Sequence, residues 1–322
     1  MKEEKGPRTI VELQERFPDE EACLGFLRRL RWPNGFVCPR CGGRESVAIR
    51  TRRLEQCRSC RYQASLTAGT VFHRTRKPLR LWFLAIFFLG RHKTGISALQ
   101  LQKDLGLGSY KTAWTWLHKL RRAMVRPGRE RVTGSIEIDE TYVGGLEEGV
   151  RGRQTESKVL VVIAAEEDGT GIGRIRMRRI PDASAQSLVP FVEESIEPGT
   201  MIHSDGWSAY DAVAARGYRH RVTILTRNKK SASELMPRVH RVASLLKRWL
   251  LGTHQGAVSH EHLDYYLDEL TFRFNRRKSK NQGKLFYRLA QQAVAVDPVP
   301  YKEMVKCFGR VGAGKPQQVV AT

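Results

Sequence analysis

The chain has 322 residues, 41% of them hydrophobic, with a net charge of +23 and a pI near 10.2. That length allows two or three domains, and the apolar content suits globular folding. The charge exceeds what solubility needs and points to a polyanionic partner, nucleic acid before membrane. The longest apolar run, Leu79 to Leu89, contains Arg80 and is too short to span a bilayer.

The opening residues, Met-Lys-Glu-Glu-Lys-Gly-Pro, have no signal-peptide core, so the expected location is the cytoplasm, on the nucleoid. Residues 8 to 31 read as one or two amphipathic helices, with Phe17, Cys23, Leu24, Phe26 and Leu27 as an apolar stripe. Cys23 has no cysteine close in sequence and reads as a small core residue. Then come Cys38-Pro-Arg-Cys41, fifteen residues, and Cys57-Arg-Ser-Cys60. Two C-x-x-C turns can aim four thiolates at one zinc ion, and a closed four-thiolate site is a folding staple with no open position for catalysis. Arg40, Arg44, Arg50, Arg52, Arg53, Arg58 and Arg61 surround it, either as a DNA-contacting face or as a solvated basic one.

Residues 78 to 126 read as helical, with Pro78 placed to begin a helix. Ile96 to Leu105, the turn Gly106-Leu-Gly108, and Ser109 to Arg122 read as helix, turn, helix, with Ser109 as N-cap. Lys111, Lys119, Arg121 and Arg122 line the second helix. They would contact DNA if that helix enters a major groove; the alternative is a plain helical hairpin. Pro127-Gly128 marks a linker.

The third region reads as strands at Ser135 to Tyr142, Lys158 to Ala165 and Ile172 to Ile180, then a helix after Ser184. A strand at Thr200 to Ser204, a helix from Trp207, a strand at Arg221 to Leu225 and a helix from Val239 to Leu251 follow. This order gives an α/β fold, a mixed sheet with flanking helices. The loop from Leu146 to Ser157 has turn and polar composition, which suggests mobility. Helices from Ser259 to Asn275 and Leu285 to Val294 are expected to close the domain, and Gly312 to Thr322 reads as a disordered tail.

Asp139 interrupts the first strand between apolar neighbours, and an acid there is costly unless a partner neutralises it. Asp205 ends a later strand before Gly206, where functional groups gather in α/β sheets. His240 and Lys247 are seven residues apart, on nearly the same helix face. Two aspartates with a nitrogen or oxygen ligand can hold divalent cations that act at phosphorus, and a lysine can reach a phosphate as a point charge. Taken singly, Asp205 also suits an ordinary turn, His240 a half-buried histidine, and Lys247 a helix-surface charge.

These motifs together resemble the ISXO-like insertion-sequence transposases, which pair an N-terminal zinc ribbon with a DDE-type, RNase H-like catalytic domain. The resemblance covers about residues 15 to 290. It rests on Cys38 to Gly43, Cys57 to Gln63, Gly69-Thr-Val-Phe, Ile138 to Gly145, Ser204 to Tyr210 and Leu263 to Arg277. It implies that Asp139 and Asp205 are the metal-binding acids of a Mg2+ or Mn2+ site. The third acid in much of the family is a Glu about 35 residues after the second Asp, with Lys or Arg seven further on. Those positions hold His240 and Lys247 here. Glu137 and Glu140 are near enough to matter.

The expected plan is N-terminal helices and ribbon (1–76), a helix-turn-helix-like region (77–130), an RNase H-like domain (131–295) and a C-terminal extension (296–322). The expected activity is a DNA transposase that binds terminal inverted repeats of double-stranded DNA, cleaves them, and joins them to target DNA as a homo-oligomer. The alternatives are an inactive or repurposed DNA-binding protein of this fold, or an RNase H-like nuclease without strand transfer.

Overall fold

A computed structural model describes residues 6–49, 52, 54–92, 94–125, 128–144, 158–224, 231–256, 258–279 and 283–305. The loop at 146–157, the tail at 312–322, and Arg50 and Arg53 lie outside the described residues. In chain order the first elements are α1 (Ile10–Arg16), α2 (Glu20–Arg31), β1 (Ser46–Ile49), β2 (Leu54–Cys57) and β3 (Gln63–Ser65). Then come α3 (Leu79–Arg91), α4 (Ala98–Asp104), α5 (Tyr110–Ala123), β4 (Ser135–Val143), β5 (Val159–Asp168) and β6 (Gly171–Ile180). They are followed by α6 (Ala185–Ser195), β7 (Met201–Ser204), α7 (Asp211–Ala214), β8 (Arg219–Val222), α8 (Ala232–Leu235) and α9 (Pro237–His254). The last are α10 (Leu263–Phe274), α11 (Gly283–Ala295) and α12 (Tyr301–Val305). Two compact units form: one from Met1–Arg126 with Lys278–Phe308, the other centred on Pro127–Arg277.

In the first unit, side-chain caps set the helix starts. Thr9, Asp19, Ser97 and Ser109 accept hydrogen bonds from backbone amides of the first turns of α1, α2, α4 and α5. The turn from α4 to α5 runs through Gly106 at φ 60°, a conformation glycine adopts without a Cβ clash. The core is aromatic. Phe17, Phe26 and Phe83 meet edge to face at 4.8–5.5 Å, and Phe286 of α11 lies 5.8–6.1 Å from each. Trp82 of α3 stacks on Trp116 of α5 at 3.9 Å. Cys23 is fully buried, and burial pushes its thiol up to about 12, as a core residue requires. The helix expected to close the third region, α11, packs instead in this first unit, where the buried face of Phe286, Leu289, Ala290 and Ala293 fills the aromatic socket.

The second unit is built on a five-stranded sheet in the order β6-β5-β4-β7-β8. β6, β5 and β4 form an antiparallel meander, and β7 and β8 add in parallel. This is the expected RNase H-like mixed sheet. Strand alternation gives β4 two faces. Ile136 and Ile138 enter one core with α6, while Val161, Ile163 and Ala165 of β5 enter a second core with α9 and α10. Glu137 and Asp139 therefore share the α9 side of the sheet. β6 lies at the sheet edge, and Asn275 covers it. The Ile175 amide donates to Asn275 Oδ1 at 2.7 Å, and Asn275 Nδ2 donates to the Ile175 carbonyl at 3.1 Å. Arg277 donates to the carbonyls of Ile172 and Gly173 alongside. The expected helix from Trp207 is a short 3-10 turn (Ser208–Tyr210) running into α7.

Candidate active site

The ribbon site is compact. Cys38 Sγ lies 3.6 Å from Cys60 Sγ, Cys41 Sγ lies 3.6 Å from Cys57 Sγ, and all four sulfurs fall within 4.8 Å of one another. A disulfide would need about 2.05 Å. Tetrahedral zinc with Zn–S near 2.3 Å puts sulfurs roughly 3.8 Å apart. Antiparallel β1–β3 hold the second C-x-x-C turn, and the Cys60 backbone amide draws the Cys57 thiol down to about 6, against burial. The four thiols fit a structural zinc.

The second helix of the helix-turn-helix-like region departs from its expected role in part. Arg121 is 1% exposed and cannot touch a phosphate from there. The helical period explains it: Trp114, Leu117, His118 and Arg121 fall on one stripe, which α5 turns inward. Lys119 is half-buried, and burial lowers its pKa. Lys111 is exposed, with its ammonium 3.9 Å above the Tyr301 ring, and Arg122 is partly exposed.

The acids come together around β4 and β7. Glu137 pairs with His203 in the parallel register, so Asp139 and Asp205, two residues further on each strand, lie on the same α9 side. The Asp139 carboxylate accepts from the Glu140 amide at 2.8 Å, and Asp205 Oδ1 accepts from the Trp207 amide at 3.0 Å. Across from them, His240 on α9 puts Nε2 3.9 Å from Asp139 Oδ2. That nitrogen is buried and has no hydrogen-bond partner among the described residues. Burial lowers the His240 pKa, against the pull of Glu137 and Asp205 and with the push of Lys247, so its imidazole is neutral at pH 7. A buried, neutral, orphaned nitrogen facing two carboxylates fits a divalent cation. Lys247 is exposed two turns along α9, its pKa lowered by partial desolvation and then by Lys158.

The structure thus brings Asp139, Asp205 and His240 to one place. Three neighbours were not singled out as site residues from the sequence. Tyr210 is fully buried and donates its hydroxyl to Glu140, which ties the turn after Asp205 back to β4. Lys158 enters only because β5 begins beside the site. Arg238 reaches Glu137, a contact across 101 residues that no local pattern announces. A third ligand-like cluster, Glu137, Glu167 and His203, has atoms within 4.8 Å of one another. Arg238 and Arg221 fill it. Arg238 Nη1 lies 2.8 Å from Glu137 and 3.4 Å from Glu167, and Arg221 Nη2 lies 3.5 Å from Glu167 and 2.8 Å from His203 Nδ1. Two guanidiniums already balance its two carboxylates.

A thiolate ribbon, a helical region, and an RNase H-like sheet with acids on its central strands define the class: a zinc-ribbon protein with an RNase H-like domain. Residues 131–275 match the model of the ISXO2-like transposase domain, and residues 18–63 match that of the transposase zinc-ribbon domain. Both matched domains are domains of insertion-sequence transposases. An uncharacterized protein in transposable element ISH50 of Halobacterium salinarum is 28% identical over 288 residues, covering 83% of this chain and 94% of that protein. Among solved structures, a pre-cleavage Mos1 transpososome aligns at 12% identity and a TM-score of 0.28, over 66% of this chain and 78% of that one. A Mos1 transposase paired-end complex with left transposon end aligns at 11% and 0.29, over 69% and 77%. The assignment rests on the family matches. No helix among the described residues is long and apolar enough to cross a membrane.

Proposed function

We propose that this protein binds the terminal inverted repeats of its insertion sequence, cleaves them, and joins the freed ends to target DNA. The observation that carries this reading is the convergence of Asp139, Asp205 and the orphaned His240 nitrogen on one side of the sheet. These three residues would hold Mg2+ or Mn2+. Such ions, when bound, activate an attacking oxygen and stabilise the leaving oxygen of a phosphodiester. Asp139 and Asp205 supply the negative charge, their carboxylates oriented by the Glu140 and Trp207 amides. Lys247 contacts a phosphate from the exposed side of α9. The strands are joined by transesterification, without a covalent protein intermediate. The ribbon and the region at 77–130 grip the duplex, with Lys111 and Arg122 as its accessible cations on α5. Two ends must meet, so the working form is a homo-oligomer on DNA, and its place is the nucleoid.

The test uses the DNA flanking the gene as substrate. Wild type should cleave and join in Mn2+. Asp139→Asn and Asp205→Asn should lose both reactions and keep end binding. Cleavage by either variant at near wild-type rate would overturn the assignment of the metal site.

A further inference from the structure

We infer that Glu137 and Arg238 form a clamp that positions His240 against Asp139, and that Glu137 is a positioning residue and not a metal ligand. The inference rests on the proposed metal site and says what builds it. α9 begins at Pro237 with no side-chain cap from its own N-cap residue, Met236. Its first amides would be orphaned. The carboxylate of Glu137, 1% exposed on β4, takes their place: Oε2 accepts from the Arg238 amide at 2.7 Å and from the Val239 amide at 2.9 Å. Its other oxygen accepts from Arg238 Nη1 at 2.8 Å. The strand therefore caps the helix, and a carboxylate at a helix N-terminus also complements the helix dipole.

Arg238 fastens the other side. Its Nε donates to the Gly171 carbonyl at 3.0 Å and its Nη2 to the Gly169 carbonyl at 2.7 Å, at the turn between β5 and β6. Arg221 completes the ring. A guanidinium only donates, so His203 Nδ1 must accept from Arg221, which leaves Nε2 protonated and donating to Thr223 Oγ1 at 2.6 Å. Neither ring nitrogen of His203 is left for a cation, and three of about four acceptor sites on Glu137 are taken.

The geometry then runs in parallel along strand and helix. Glu137 meets residues 238 and 239. Two residues along β4, Asp139 meets His240, the next residue of α9. Asp139 and His240 are held at 3.9 Å because the preceding pair is held by hydrogen bonds.

The experiment measures Mn2+ affinity of the full chain by electron paramagnetic resonance, with melting temperature and, on DNA ends, kcat and KM. Partners behind metal ligands set affinity by about 10–100-fold. Glu137→Ala should therefore lose Mn2+ affinity by about that factor, with kcat falling and the KM for DNA holding. Glu137→Gln is the discriminating arm. A Gln carbonyl still caps the two α9 amides, and Arg238 keeps Glu167 and the Gly169 and Gly171 carbonyls as partners. This variant should recover most of the Mn2+ affinity. A folded Glu137→Ala that binds Mn2+ like wild type would overturn the inference, and so would a Glu137→Gln variant as weak as Glu137→Ala. The Mn2+ measurement needs no DNA cleavage, so this clamp can fail while the transposase reading stands, and the reverse.

Discussion

Replacing Asn275 by Ala strips the cover from the edge of the central sheet, and its cost can be worked from the structure. Asn275 bonds both backbone groups of Ile175, at 2.7 and 3.1 Å, the carbonyl also accepts from Arg176 Nη1 at 2.9 Å, and Ile175 is fully buried. An orphaned buried backbone group costs about 1–3 kcal/mol. The carbonyl keeps its bond from Arg176, so only the amide is orphaned and about 1–3 kcal/mol is expected. A unit of this size loses roughly 2–4 °C of melting temperature per kcal/mol, so the melt should fall by about 2–12 °C. Urea denaturation gives the free energy, and hydrogen exchange reads the Ile175 amide directly. That amide should exchange much faster in the variant, while amides of β4 hold. A loss under about 0.5 kcal/mol, with unchanged protection at Ile175, would refute the reasoning. The result also bears on why Phe-Asn-Arg-Arg stands in a family motif: on this structure it is a clasp for an edge strand, which would otherwise invite pairing with another chain.

Other outcomes follow from the same geometry. Cys57→Ser, or a strong chelator, should release one zinc and unfold β1–β3 while leaving the second unit's melt in place; metal analysis beside circular dichroism checks this, and a ribbon that stays folded without metal refutes the thiolate site. His240→Glu should keep activity and move preference from Mn2+ toward Mg2+, since a carboxylate replaces imidazole, whereas His240→Ala should be far weaker; equal activity of the Ala variant would remove His240 from the site. His203 and His220 have pKa values lowered from 6.5, by burial first in both and then by Arg221 for His203. Below about pH 6.5 the unfolded chain takes up protons that the folded one resists, so their stability contribution is full above that pH and is lost as pH falls toward the depressed values. A thermal melt series from pH 8 to 5 should decline over that window, and a flat series would contradict it.

Much of this was legible in the residues, and the rest was hidden for physical reasons. Ser109 and Ser184 announce helices because a cap is a local contact, and each helix begins one residue later. Asp139, Asp205 and His240 were legible as separate signals, and strand register brings them together. Arg121 misled because charge and helical period disagreed, and the period won: it sits on the stripe of Trp114 and Leu117. The destination of α11 was illegible because an apolar stripe says that a helix is buried but not in which core. Glu137 and Asp139 looked alike as strand acids. Only the chain arriving from Met236 distinguishes them, one capping a helix and the other facing a histidine.

The return of α11 to the first unit has a consequence for synthesis. The socket of Phe17, Phe26 and Phe83 leaves the ribosome early, but Phe286 follows the end of α5 by more than 150 residues. At about 5–20 residues per second, that interval lasts on the order of 10–30 s. During it the entire second unit emerges and can fold, while the first displays an open aromatic socket. The part of the chain made first is thus completed last. A transcript broken between the end of α5 and residue 283 yields a ribbon-bearing fragment with an unfilled core, prone to aggregation and poorly suited to occupy the element's ends in place of the whole protein.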